Sequence, residues 1–210
     1  MAFHSLVAHY TKVTIDIGTG DGLFIYKSAQ RNPHQFFIGI DANRRALEKI
    51  SEKIFRRPAK GGLSNALFVQ AAVEELPPEL NGIASEVEVQ FPWGSLLRGV
   101  ADGDQLVMAN LRRMCAPRAQ LRALIGLDPV RDWLNWERQG LPPLTVEYIQ
   151  TVLASRYETA GFSIVKTQQL SWSDVSELQT SWARRLKHSS SRLFFRIVAE
   201  AVSRQRSTRA

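Results

Sequence analysis

The chain has 210 residues, enough for one domain with a single substantial core, and 44% hydrophobic with 22% charged residues is ordinary for a soluble globular protein. Its lone cysteine, Cys115, excludes an intrachain disulfide and fits a reducing cytoplasm, and no apolar run reaches the ~20 residues that cross a bilayer. Against 20 Asp and Glu stand 27 Lys and Arg, and the net charge of +7 points to a polyanionic partner, nucleic acid ahead of an anionic membrane.

The first residues, MAFHSLVAHYTK, lack the basic start and long apolar stretch of a secretory signal. KVTIDI (12–17) reads as a buried strand, and GDGLFIYKSAQR opens a helix. QFFIGID (35–41) is a second strand, followed by NRRALEKISEKIF with Leu47, Ile50 and Ile54 on one helical face. ALFVQAA (66–72) and EVEVQF (86–91) are the third and fourth strands, the latter leading into a loop that carries Trp93. ADGDQLVMANLRRMCA contains a helix whose apolar pattern runs through Cys115 towards Pro117, placing that thiol in the core. QLRALIGL (120–127) is the fifth strand, and the Trp-, Arg- and Pro-rich RDWLNWERQGLPPL (131–144) reads as an insertion after it. Val146, Ile149, Leu153 and Tyr157 form the stripe of a helix that stops at Gly161. SIVKTQQL and RLFFRIVAEAV are the last strands, separated by a helix containing Trp182.

Such alternation predicts an α/β fold, a mostly parallel sheet with helices on both faces, as one domain over residues 1–210. Ligands in such sheets bind beyond the carboxyl ends of the strands, at the topological switch point. That is where IDIGTGDG (15–22) falls. Gly18, Gly20 and Gly22 allow a tight turn and a close backbone approach to a ligand. Leu23 stands where a dinucleotide fingerprint needs its third glycine, and G-x-G-x-G is instead typical of S-adenosylmethionine sites. Asp41, 19 residues after Gly22, is placed to accept ribose hydroxyls or to cap the next helix. Asp16 can pair with a methionine amino group, and Glu74 can bound the adenine. Carboxylates around one cleft suit a cationic sulfonium better than a pyrophosphate. The four histidines are scattered, and no metal-ligand spacing appears.

Trp93, between Pro92 and Gly94 at a strand's carboxyl end, suits stacking on a base lifted from its helix. Trp182 lies in a stretch, 178–199, without acidic residues, where Arg184, Arg185, Lys187, Arg192 and Arg196 fall. For Trp182 a core role and a stacking role weigh evenly. A second basic cluster is Lys53, Arg56, Arg57 and Lys60.

IDIGTGDG, FIGIDANRRAL, RRPAKGGLSNALFV, AAVEELPPEL, QFPWGSLL and SWARRL…RLFFR together resemble the 16S rRNA adenine-N1 methyltransferases of kanamycin–apramycin resistance, which act on adenine-1408 of the decoding site. The resemblance covers nearly the whole chain. It implies a seven-stranded, Rossmann-like methyltransferase sheet, S-adenosylmethionine as methyl donor, S-adenosylhomocysteine as product, and the 30S subunit as partner. By position it implies cofactor contacts from Asp16, Gly18, Thr19, Gly20, Asp41, Ala42, Glu74 and Ser95. Trp93 and Trp182 would sandwich the base, and Arg184, Arg185 and Arg192 would face rRNA. Lys53, Arg56, Arg57 and Lys60 match a basic linker that docks on the 30S surface. Two departures stand out. Only about a dozen residues precede the first strand, where the family usually has a longer N-terminal extension, a β-hairpin, as if the start were trimmed, and Ser189, Ser190 and Ser191 occupy a loop where relatives can carry more basic residues. A cytoplasmic monomer is expected, with no membrane attachment.

The rival readings are a tRNA guanine-N7 methyltransferase and a non-catalytic RNA-binding protein with a vestigial cofactor pocket. The first has a longer basic Pro–Trp signature than FPWGSLLRGV offers, and the intact Gly18, Gly20, Asp41 and Trp93 weigh against the second. A nicotinamide oxidoreductase is weakened further by Leu23.

Overall fold

A computed structural model of the chain describes residues 3–128, 132–176 and 192–202. Seven strands form one sheet: β1 (Val13–Ile17), β2 (Phe36–Asp41), β3 (Ala66–Gln70), β4 (Ala84–Gln90), β5 (Cys115–Leu127), β6 (Phe162–Leu170) and β7 (Leu193–Ala201). Their order is β3-β2-β1-β4-β5-β7-β6, and only β7 runs antiparallel to its neighbours. Ile15 sits between Ile38 of β2 and Val87 of β4, so the strand order reverses at β1. The carboxyl ends of β1, β2 and β4 therefore diverge into a crevice.

Among the described residues the helices are α1 (Phe3–Val7), α2 (Leu23–Arg31), α3 (Arg44–Ile54), α4 (Gly94–Asp102), α5 (Gln105–Met114) and α6 (Trp133–Arg138). They continue with α7 (Val146–Tyr148), which passes through a π-turn at Ile149–Leu153 into α8 (Ala154–Thr159), and with α9 (Trp172–Ser176). Leu47, Ile50 and Ile54 of α3 are all buried, as their spacing predicts. Ile50 and Ile54 join Ile25, Tyr26 and Ala29 of α2 in a compact cluster over Phe37 and Ala66. Burying one such aliphatic side chain stabilises the fold by about 1.5–3 kcal/mol. Asn65 locks this corner: its buried Nδ2 donates to the carbonyls of Ala29, Asn32 and Gln35 at 3.0, 3.1 and 3.0 Å. The larger core joins α4, α5 and α8 through Leu97, Met108, Leu111 and Tyr157 to β1, β4 and β5.

Two local expectations change. The helix before β5 ends at Met114, and Cys115 opens the strand, still buried, with its thiol pushed up to about 12 by burial. GSLL after Trp93 is not loop but the first turn of α4. The helix expected around Trp182 lies outside the described residues.

The insertion after β5 holds α6, and Trp136 in it is buried, donating from Nε1 to Pro142 O at 2.8 Å. The β4 sequence ASEVEVQ alternates because its faces differ. Val87 and Val89 are fully buried, while Glu86, Glu88 and Gln90 point to the other side. There Glu86 pairs with Lys12 and Arg122. Glu88 and Gln90 line an open groove of about 690 Å³ with Gln120, Arg122 and Arg196.

Candidate active site

The crevice at the switch point holds a cleft of about 540 Å³. Gly18, Gly20, Asp41, Ala42, Glu74, Trp93 and Ser95, seven positions expected from sequence, line it. Other lining residues drew no notice in the sequence, among them Asn43, Ala72, Phe91 and Leu96.

The glycine loop leaves β1 and is pinned to β2, since the amides of Gly18 and Thr19 both donate to Ile40 O at 2.8 and 3.0 Å. Gly18 takes φ +74°, and a Cβ there would lie 3.0 Å from Leu96 Cδ2. Gly22 takes φ +67°, and a Cβ there would lie 2.4 Å from Phe68 Cε1. Both positions need glycine for backbone conformation, and Gly22 needs it for space as well.

Asp41 braces the far wall. Its Oδ2 accepts from Gly20 N and its Oδ1 from Asn43 N, each at 2.8 Å. Asn43, not Asp41, caps α3, its side chain accepting from Arg45 N at 3.2 Å. Each oxygen of Asp41 keeps a lone pair for a ligand hydroxyl. Glu74 stands exposed in the 3-10 turn after β3, Val73–Glu75, which is held by Asn110 Nδ2 donating to the Val73 and Glu74 carbonyls.

Asp16 lies beneath the loop rather than in the cleft lining, and is buried. Burial pushes its carboxyl up to about 7, and the negative Asp41 adds to the rise; the Thr19 hydroxyl opposes it. Even so, neither Asp16 Oδ1 nor Thr19 Oγ1 completes a hydrogen bond among the described residues. An orphaned buried acceptor of this kind is costly until a donor satisfies it, most of all a cationic one. The methionine ammonium of S-adenosylmethionine is such a donor, so the residues present fit that group.

The opposite rim is built by an abrupt reversal after β4. Phe91 adopts φ +50°, a left-handed conformation costing a bulky residue about 1–3 kcal/mol. Its ring is buried in a cluster with Leu124, Val175 and Phe194, meeting Phe194 edge-on at 6.3 Å. Packing holds the strained turn, Pro92 after it is buried as well, and Trp93 beyond them faces outwards. Trp93 is 46% exposed, against 4% for Trp136, and it immediately precedes α4 at the cleft edge. A tryptophan held half in solvent by a buried, strained neighbour is not a core residue.

Of the expected rRNA-facing residues, Trp182, Arg184 and Arg185 lie outside the described residues. Arg192 is drawn inward: its Nη1 donates to Asp132 Oδ2 at 3.0 Å in a mostly buried pair, and weakly to Gly126 O. Arg56, Arg57 and Lys60 are exposed, and Lys53 is half-buried, its Nζ 4.0 Å over the Tyr26 ring. Among the described residues no metal-binding cluster of His, Cys, Asp and Glu occurs, and no helix is long and apolar enough to cross a membrane.

Residues 1–201 match the family model described as "NpmA: 16S rRNA (adenine(1408)-N(1))-methyltransferase". The chain belongs to that family. Among curated relatives, the 16S rRNA (adenine(1408)-N(1))-methyltransferase of Streptoalloteichus hindustanus is 38% identical over 190 residues, covering 90% of this chain and 87% of that protein. The Escherichia coli protein of the same description is 35% identical over 196 residues, covering 91% and 88%. Solved relatives of this methyltransferase include the aminoglycoside resistance methyltransferase NpmB1, with TM-score 0.82 and 43% identity over 95% of this chain and 91% of that one. The 16S rRNA methyltransferase KamB has TM-score 0.87 and 36% identity, covering 96% and 93%. The Catenulisporales acidiphilia enzyme, as a tryptophan-to-alanine mutant with cosubstrate SAM, has TM-score 0.87 and 32% identity, covering 96% and 91%.

Proposed function

We propose that this chain transfers the methyl group of S-adenosylmethionine to N1 of adenine-1408 in the 16S rRNA of the 30S subunit, and so confers aminoglycoside resistance. One observation carries the reading. The Asp41-braced glycine loop, over the orphaned Asp16 carboxyl, shares a single cleft with a half-exposed Trp93. The bound cofactor supplies a sulfonium-activated methyl and leaves as S-adenosylhomocysteine. Asp41 accepts ribose hydroxyls, Asp16 takes the ammonium, and Glu74 bounds the adenine edge of the cofactor, with Thr19, Ala42 and Ser95 close around it. Trp93 stacks on the flipped target base, and Trp182 is assigned its other face by the family resemblance alone.

Adenine N1 carries a lone pair near neutral pH, so the attack needs no protein base. The residues instead hold the base in line with the methyl and exclude water. Stacking also favours the ring as it becomes cationic. Arg184, Arg185 and the Lys53–Lys60 cluster supply rRNA phosphate contacts. Arg192 reaches a phosphate only by loosening its pair with Asp132. A cytoplasmic, monomeric protein of one domain, with the 131–144 segment as its insertion, accompanies this reading.

The test offers purified protein and labelled S-adenosylmethionine to 30S subunits, 50S subunits and bulk tRNA, then maps product by primer extension. A reverse-transcriptase stop at adenine-1408 with 30S alone is expected; label in tRNA overturns the reading in favour of guanine-N7 chemistry. Trp93→Ala and Trp182→Ala each lower methylation by at least about tenfold, with cofactor affinity unchanged in calorimetry. Lost cofactor binding in both variants makes the tryptophans structural.

A further inference from the structure

The turn that brings Glu74 to the cleft has little backbone bonding of its own. Val73–Glu75 is a single 3-10 turn, in which Glu75 N donates to Ala72 O at 3.1 Å. Turns of this kind have poor hydrogen-bond geometry and seldom run further. Beyond Leu76 come Pro77 and Pro78, which have no N–H to give. Two adjacent acids, Glu74 and Glu75, both stand exposed, yet Glu74 lines the cleft and Glu75 does not. A modest rotation of the turn would exchange one carboxylate for the other.

The hold comes from α5. Asn110 Nδ2 donates to Val73 O at 3.0 Å and to Glu74 O at 3.1 Å, so both hydrogens of its amide are spent on the turn. These are the two carbonyls that flank the Glu74 Cα, and fixing both fixes the direction in which its side chain leaves the backbone. Arg113 lies three residues further along, on the same helix face, and its Nη2 donates to Leu76 O at 3.0 Å. Underneath, Val73 and Leu76 are buried in the same core as Leu111 and Met114 of α5. That apolar pair sets the depth of the turn, and the polar bonds set its rotation. Asn110 itself is not part of the cleft lining, so it acts only through the turn.

We propose that Asn110 is a positioning residue for cofactor recognition: by holding the carbonyls on both sides of Glu74 it aims that carboxylate, and not Glu75, at the exocyclic amino group of the cofactor's adenine. The inference rests on the reading that Glu74 meets the adenine. An ionised carboxylate only accepts, and the amino group is the donor on that edge of the base. A carbonyl in its place, as in inosine, would face Glu74 acceptor to acceptor.

Calorimetry compares S-adenosylhomocysteine with its inosine counterpart on wild type, Glu74→Ala, Glu75→Ala, Asn110→Asp and Asn110→Ala, with melting temperature followed for each. Wild type prefers the adenine compound by about tenfold or more, the worth of one hydrogen bond to a charged group. Glu75→Ala keeps that preference and Glu74→Ala loses it. Asn110→Asp preserves the size of the side chain but removes both donors, and it cuts the preference to about threefold or less. Asn110→Ala does the same, and decides the matter if the aspartate variant does not fold. Added to Glu74→Ala, Asn110→Ala changes the ratio no further, because both act through one contact.

A merely structural asparagine lowers the melting temperature and both affinities together while the ratio stays at its wild-type value, and that result overturns the proposal. A ratio lost in Glu74→Ala but kept in the folded Asn110 variants overturns it as well, with the reading of Glu74 intact. Wild type without any preference, or Glu74→Ala that retains it, defeats the reading of Glu74 and this inference with it.

Discussion

At Asp16, the burial that raises the carboxyl to about 7 also governs when it can receive a cation. Its folded value lies above the ordinary 3.8, so its contribution to stability is complete below about 3.8 and is lost as pH rises through 7. Cofactor binding has the opposite slope, because the ammonium needs the ionised form. Affinity for S-adenosylmethionine is therefore expected to fall by about tenfold per pH unit below about pH 7. Asp16→Asn removes that dependence and most of the affinity in calorimetry, yet its melting temperature at pH 8 is no lower than wild type. A variant that binds as tightly as wild type across the range shows that Asp16 does not anchor the cofactor. Phe91 teaches the converse lesson at the same scale. Its apolar side chain is plain in the sequence, but the φ of +50° that turns Trp93 outwards has no sequence signature. It depends on Phe194, more than 100 residues away in the chain, for its packing.

Between β1 and α2 the glycine loop works as an element, and its spacing was legible because each glycine answers a local steric demand. The demand at Gly22 comes from β3 and α3, through Phe68 Cε1 and Ile50 Cγ2 at 2.4 and 2.9 Å from the missing Cβ. Gly22→Ala meets that clash and a left-handed φ together, a cost of about 2 kcal/mol or more. Its melting temperature should drop by at least about 4 °C, with weaker cofactor binding, and an unchanged melting curve refutes this. The helix after Trp93 was missed for a related reason. FPWG reads as a turn, and the chain does turn there, but Gly94 is already the first residue of α4. Likewise Arg192 was legible as a cation in a basic run, whereas its partner Asp132 sits 60 residues earlier, in the segment after β5.

Across the whole sheet, the faces of β4 divide the molecule. Glu86 and Glu88 read as alternation in EVEVQ, a pattern at odds with a parallel sheet buried on both faces. The structure resolves the conflict by leaving the strip from β4 to β6 open as a polar groove on that side. Burial, reinforced by Glu86 and Asp16, pushes the Glu88 carboxyl up to about 8, while Arg122 and Lys12 oppose the rise. The folded protein holds that proton more tightly than the unfolded chain, so stability from Glu88 is complete below about 4.5 and is lost as pH rises through 8. Melting curves should show Glu88→Gln gaining on wild type between pH 5 and pH 8.5. A constant difference across that interval means that Glu88 carries no such penalty.

What the sequence determined by itself was local or periodic: the strand–helix alternation, the glycine spacing, the acid at the end of β2, and the exposed basic cluster after α3. These depend on neighbours within a few residues or on one face of one element, and their physical causes are steric or amphipathic. Tertiary structure alone decided which of those residues share a cleft. It set Asp16 beneath the loop with an unsatisfied oxygen, drew Arg192 into an ion pair, and turned Trp93 outwards while burying Trp136. Burial, pairing and strain arise from contacts between distant parts of the chain, and only the folded packing brings those parts together.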